Sequence, residues 1–282
     1  MQRDEAFSAC ARMVRSEDRD RFLCAMFAPA NRRGYLFALY AFNLEIARVR
    51  EIVSEPLIGR MRLQWWRDAL DSIYRGTGPN NPVARAVAET VAACPVSRGH
   101  FETLIDGREA DMQDEPFETL NELIAYAEGT SVPLVRLSLE ALGVSDERSH
   151  AAARGVGTAW ALSGLMRAIP FHRAGGRSYL PKDLCRDFGF AAGAISHAHP
   201  PVEFRAVVAA ICSVSRQALH EARRYRKDVP RQAIAALLPA VLAESYLTML
   251  EKAGHNPFDP TVQRLRPSGL LKLSYTGIRG SY

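Results

Sequence analysis

Apolar residues recur along the chain at three- and four-residue steps, the spacing that places them on one face of a helix. In RMRLQWWRDALDSIYRG, Leu63, Trp66, Leu70 and Ile73 keep that step. Phe101, Leu104, Ile105 and Met112 repeat it, and Leu120, Leu123, Ile124 and Ala127 continue it. Ile234, Leu237, Leu238, Val241, Leu242 and Leu250 predict another long amphipathic helix. No segment sustains the apolar–polar alternation of a half-buried strand.

Glycine- and proline-rich breaks punctuate this pattern at Pro56 to Gly59, Gly76 to Pro82, Cys94 to Gly99, Gly143 to Ser149, Ala174 to Gly176, His197 to Pro201 and His255 to Pro260. The breaks are short, and neither charge nor composition shifts across them, so none reads as a linker. The expectation is one all-α domain over residues 1–282, with about eight to ten helices of roughly 15–25 residues each.

Composition narrows the function classes. The chain is 48% hydrophobic, enough for a sizeable core, and its net charge is +5. That excess is mild and no Lys/Arg run concentrates it, which argues against nucleic acid as a partner. It remains compatible with an anionic membrane surface or a phosphate-bearing ligand. Cys10, Cys24, Cys94, Cys185 and Cys212 are odd in number and widely spaced, without the pairing of a zinc site or a disulfide framework. A reducing compartment follows. MQRDEAFSACARMVRSEDRDRF mixes acids and bases, unlike a secretory signal or a transit peptide. No apolar run approaches the ~20 residues of a spanning helix. These features predict a protein that is cytoplasmic or peripheral on the inner face of a membrane.

Three stretches carry chemistry-bearing residues. YAFNLEIARVRE sets Glu45, Arg48 and Arg50 among apolar neighbours; it reads most simply as a half-buried helix with paired charges. IDGREADMQDEPFETLNELIAYAEG places Asp111, Asp114 and Glu115 at the spacing of one helical face. Such a face suits Mg²⁺, which prefers oxygen ligands, or is a solvated acidic surface. Thr119 followed by Glu122 predicts a helix-capping box. In LMRAIPFHRAGGRSYLP, Arg167 ends a helix that Pro170 kinks or stops. His172 there is a metal ligand or general base by chemistry, and by context an exposed loop residue. Ser131 and Ser163 lack the setting of a serine nucleophile. The glycines of GVGTAWALSG follow no strand, so they predict close helix packing rather than a dinucleotide loop.

Taken in order, FAPANRRGYLFALYAF, LQWWRDALDSIYRG, LIDGREADM, ELIAYAEGTSVPLVRL and GRSYLP resemble the squalene/phytoene synthase family over nearly the whole chain. The resemblance implies an isoprenoid-synthase-type helical bundle around a central cavity. Its enzymes join prenyl diphosphates, with two aspartate-rich helices holding Mg²⁺ at the cavity mouth. Carboxylate-held metal stabilises the charge that develops as diphosphate leaves.

Laid on this chain, the first family motif puts its tyrosine on Tyr40 and its phenylalanine on Phe42. Its paired aspartates fall on Ala47 and Arg48, and its third on Glu51. The second motif, anchored on Gly176 to Pro181, puts its arginine on Arg167 and its asparagine on Gly164. Its acids fall on Ala168, Phe171 and His172. The flanks are kept and the acids are lost, which implies no catalytic residue and no cofactor. Glu51 and Asp111 are the remaining weak candidates for metal. The resemblance implies ligand contacts at Arg33, Tyr40, Arg48, Arg167, Arg177 and Tyr179, because arginine suits bidentate phosphate binding.

One non-synthase branch of the family, related to the mitochondrial complex I assembly factor, departs in this way. ALYAFNLEIARVREIVSEPLIGRMRLQWWRDAL and READMQDEPFETLNELIAYAEGTSVPL look closest to it. That branch implies an inactive homologue with a protein partner in respiratory complex I assembly, on the matrix side if the chain is eukaryotic. It also leaves room for an isoprenoid or prenyl-phosphate lipid in the inherited cavity. The alternative is an active head-to-head prenyl transferase that uses Mg²⁺ at an altered site. The tail RLRPSGLLKLSYTGIRGSY sets Leu270, Leu271 and Leu273 among Arg266, Lys272 and Arg279. It suits either a membrane surface or docking on the core.

Overall fold

A computed structural model of the chain describes residues 2–53, 55–113, 115–191, 200–263 and 267–282. Helices joined by turns and short irregular segments make up the described residues, with no strand among them. In chain order the helices are α1 (Gln2–Glu17), α2 (Arg19–Ala25), α3 (Ala30–Ala47), α4 (Val49–Ile52), α5 (Pro56–Tyr74), α6 (Pro82–Ala93) and α7 (Arg98–Glu109). They continue as α8 (Leu120–Ala141), α9 (Glu147–Arg167), α10 (Ile169–Ala174), α11 (Lys182–Asp187) and α12 (Val202–Arg223). The last are α13 (Ile234–Leu237), α14 (Pro239–Lys252) and α15 (Pro267–Arg279).

Local chemistry starts several of them. Asn81 accepts from the amides of Val83 and Ala84, and Pro82 opens α6, where a missing amide costs nothing. Asp146 caps α9 through the Ser149 amide. Thr119 caps α8 through Glu122 as the sequence predicts, but the Glu122 carboxylate turns back to the Glu118 amide rather than to Thr119. The break placed at Pro56 to Gly59 falls earlier: Pro56 is the first residue of α5 and Gly59 lies inside it, buried. The predicted turn at His197 to Pro201 lies mostly outside the described residues.

α8 and α9 form the centre, with α7 and α3 against α8 and with α12 and α14 against α9. Close approach at two glycines sets this packing. A Cβ on Gly155 would stand 2.4 Å from the Ala218 carbonyl oxygen, and one on Gly157 would stand 2.8 Å from the Val132 Cα. The glycines of GVGTAWALSG are therefore helix-packing residues. The predicted apolar stripes of α5 and α7 face this core: Leu63, Trp66, Leu70, Ile73, Phe101, Leu104 and Ile105 are all buried.

The C-terminal apolar run differs from its prediction. It is not one amphipathic helix but α13 and α14, with Pro239 starting the second, and it is buried on most sides. Arg231–Lys252 is long and apolar enough to cross a membrane, yet 83% of its most apolar window lies inside the fold. It is a core segment. All five cysteines are free and buried.

Candidate functional site: a cavity mouth filled with ion pairs

The two family motifs end at two helix breaks. α3 stops at Ala47 and the chain re-enters helix after Arg48. α9 stops at Arg167, Ala168 makes the junction, and α10 carries Pro170 and His172. A cavity opens beside the second break. Its volume is ≈200 Å³, and its wall includes Arg21, Asn43, Arg108, Tyr126, Ser131, Trp160, Gly164, Ala168 and His172. Three polar atoms of this wall, Asn43 Oδ1, Arg108 Nε and Ser131 Oγ, are buried with no protein partner. Water or a polar group must satisfy them, since each orphan costs about 1–3 kcal/mol.

Asp111 is bonded to two residues of this wall, Arg108 and Tyr126. The chain leaves α7 after Glu109, makes one tight turn over Ala110–Met112 and becomes extended at Gln113. The predicted acidic helical face therefore does not form. Asp111 turns inward and is buried, whereas Glu115 is exposed and pairs with Lys182 at 3.2 Å. Asp114 lies outside the described residues.

Tyr126 and Tyr179 both donate to Asp111 Oδ1, at 2.7 and 2.8 Å. Arg108 Nη1 donates to Asp111 Oδ2 at 3.3 Å and to the Tyr126 hydroxyl at 3.0 Å. Burial raises both phenols well out of the physiological range, Tyr179 to about 12, and the Asp111 charge pushes the same way. They remain protonated donors. One carboxylate oxygen thus holds two hydroxyls while the other faces a guanidinium.

His172 is not an exposed loop residue. It sits in α10, partly buried, with its ring 4.6 Å from that of Tyr179. Burial pushes it down to about 4, and Arg177 and Arg108 add to this against the pull of Asp111. The ring is neutral at physiological pH. Phe171 does not fill the cavity; it is 60% exposed.

The first motif is held by charge pairing. Arg48 reaches Glu17 at 3.1 Å and Glu51 at 4.0 Å. Burial raises the Glu51 carboxyl, opposed by Arg48, Arg177 and Arg108. Arg21 pairs with Asp18 at 2.6 Å and lies 5.3 Å from the Trp160 ring. Arg167 stacks 3.7 Å over the Tyr246 ring, 3.8 Å from Asp20, and the Tyr246 hydroxyl donates to the same Asp20 carboxylate at 2.6 Å. Glu17, Asp18, Asp20, Trp160, Arg167 and Tyr246 wall a second opening of ≈710 Å³.

Two other candidates point elsewhere. Arg33 Nε donates to the Ala28 carbonyl at 2.9 Å, at the start of α3. Tyr40 is buried within α3 near Ser138. Arg177 contributes to the group around His172 and Glu51. The structure therefore gathers Arg48, Glu51, Asp111, Arg167, Ala168, His172, Arg177 and Tyr179 near the mouth; the buried Tyr40 ring lies 6.0 Å from Arg21 of the wall, and Arg33 lies apart.

Residue patterns missed Arg21, Asn43, Arg108, Tyr126 and Trp160 as parts of the wall. Only Asp18–Arg21 and Arg108–Asp111 carried a local signal, an acid and a base three residues apart. Among the described residues no three His, Cys, Asp or Glu side chains are grouped to hold a metal ion.

Known proteins share both the sequence and the frame. The squalene/phytoene synthase family profile matches residues 14–270. NADH dehydrogenase (ubiquinone) complex I, assembly factor 6 of Bos taurus is 33% identical over 265 residues, covering 94% of this chain and 79% of that protein. Presqualene diphosphate synthase of Sinorhizobium fredii is 25% identical over 249 residues, covering 86% of each. A crystal structure of a dehydrosqualene synthase in complex with ligand superposes with a TM-score of 0.86 at 18% identity, over 96% of this chain and 95% of the other. That likeness gives the isoprenoid-synthase fold. The chain belongs to the squalene/phytoene synthase family.

Proposed function

We propose that this protein is a non-catalytic member of the family that assists assembly of respiratory complex I through a protein partner, at the membrane where that complex is built. The assembly part is supported by the relative named complex I assembly factor 6, more similar to this chain than the presqualene diphosphate synthase is. The non-catalytic part rests on the mouth. Its single strongest support is that Asp111, the buried acid there, is already occupied by Tyr126, Tyr179 and Arg108.

The donor set does not fit Mg²⁺. Mg²⁺ demands near-octahedral oxygen coordination, and Ala47, Arg48, Ala168 and His172 supply no carboxylate. Glu51 has Arg48 beside it. A guanidinium keeps its proton and repels a dication. The same pairing argues against a free phosphate contact by Arg48, which meets Glu17 at 3.1 Å; Arg167 is held less tightly, its Nη1 3.8 Å from Asp20 and without a hydrogen-bond partner. A prenyl chain in the cavity gains no support either. The wall mixes polar and apolar side chains, and ≈200 Å³ is below the ~300–1,000 Å³ usual for small-molecule pockets. No observation favours the prenyl transferase reading over this one.

Deleting the gene in its own organism tests the assembly part. The expected result is a loss of assembled complex I and of its NADH oxidation, restored by the wild-type gene. Unchanged complex I level and activity would overturn the proposal.

A further inference from the structure

α5 has two apolar faces. One carries Gly59, Leu63, Trp66, Ala69, Leu70 and Ile73 into the core. The other points outward over the first half of the helix. Leu57 is 63% exposed, Met61 65% and Trp65 42%, with Ile58 exposed beside them. At about 100° per residue these four fall within one arc of about 100°, beside the buried face. Ile52, at the end of α4 and 52% exposed, precedes them.

The outward face of a surface helix is ordinarily polar, and the second half of α5 obeys that rule with exposed Asp68. The first half breaks it in a directed way. Exposed Arg60 and Arg62 flank the apolar arc on either side, and no acid occurs from Pro56 to Arg67. An apolar stripe between arginines, with a tryptophan at its end, has the chemistry of the bilayer interface. The ring and aliphatic side chains enter the headgroup boundary while guanidinium groups meet anionic phosphates.

We propose that the outward face of α5 docks the protein on an anionic lipid bilayer. Charge complementarity selects this occupant. In a two-fold pairing with a second copy, the same arginines would face each other and repel. The net charge of +5 adds attraction to the same surface. Docking on α5 also brings the membrane beside the mouth, because α4 joins Glu51 directly to Ile52. The inference stands on α5 and not on the assembly reading; vesicle binding is measurable whether or not the protein serves complex I.

The test is co-sedimentation of the full chain with phosphatidylglycerol/phosphatidylcholine vesicles against phosphatidylcholine alone. Binding is expected only with the anionic vesicles. Leu57→Gln with Met61→Gln should weaken it by at least about tenfold, from the apolar surface removed. Arg60→Gln with Arg62→Gln should remove the preference for anionic lipid. Because these side chains are exposed, the variants should melt like the wild type. As a spectroscopic check, the fluorescence change on vesicle addition should be lost in Trp65→Phe. Three results would overturn the proposal. One is no binding to anionic vesicles. Another is equal binding by the Leu57/Met61 variant together with its loss in Leu271→Gln, which would assign docking to the exposed Leu271 of α15. The third is a wild-type dimer that the Leu57/Met61 variant turns into monomer.

Discussion

The centre of the bundle and its mouth have followed different rules. Where α8, α9 and α12 meet, side chains are removed so that backbones can touch: Gly157 leaves no room for a Cβ against Val132, and Gly155 none against Ala218. At the mouth, charged side chains pair among themselves. Arg48 meets Glu17 and Glu51, Arg21 meets Asp18, and Arg167 meets Asp20. The first region preserves shape. The second sets charge against charge, and among the described residues its carboxylates are not grouped to hold a metal. Packing depends on volume, whereas a metal site depends on the placing of a few acids, so the two regions answer to different constraints.

If Asp111 is a structural acid, its loss should be felt as instability. Asp111→Ala strips Arg108 of its carboxylate in a buried setting and leaves two tyrosine hydroxyls without their acceptor. Breaking such a pair costs about 3–5 kcal/mol, which urea denaturation would read. A stable Asp111→Ala protein would place Asp111 among dispensable surface acids and dissolve the contrast.

A second break uses pH. His172 titrates near 4 in the fold and near 6.5 when unfolded. Between those values the unfolded chain binds more protons, so stability should fall as pH drops from about 6.5 toward about 4. The loss is at most about 3–4 kcal/mol from this one group. His172→Gln should flatten that part of the stability–pH curve. An unchanged slope would mean that the ring is solvated.

The smallest of the three concerns the centre. Gly157→Ala forces a methyl group into contact with the Val132 backbone, and overpacking of this kind costs about 1–3 kcal/mol. Thermal denaturation should register it while vesicle binding stays unchanged. No loss of stability would mean that α8 and α9 can part without cost.

Much of the centre was legible because it obeys short-range rules. The three- and four-residue steps in α5 and α7 depend only on neighbours along one helix, and the glycines of α9 announced close packing by their context. The family motifs were legible because order and spacing survive substitution. The mouth was less so. Tyr179 reaches Asp111 from 68 positions away, and Trp160 meets Arg21 across the fold. No local pattern encodes such contacts. The acidic run after Ile105 misled for the opposite reason: its helical spacing was sound, but the helix ends at Glu109, and the acids that follow take different directions. His172 looked solitary for want of the aromatic and charged groups that only folding brings beside it.

The central claim is that this chain keeps the family's frame without its reaction. Its most direct test is incubation of the purified protein with farnesyl or geranylgeranyl diphosphate and Mg²⁺, followed by extraction and identification of the lipid products. The account predicts unreacted diphosphate. Formation of a head-to-head prenyl product that disappears in Glu51→Ala would contradict it.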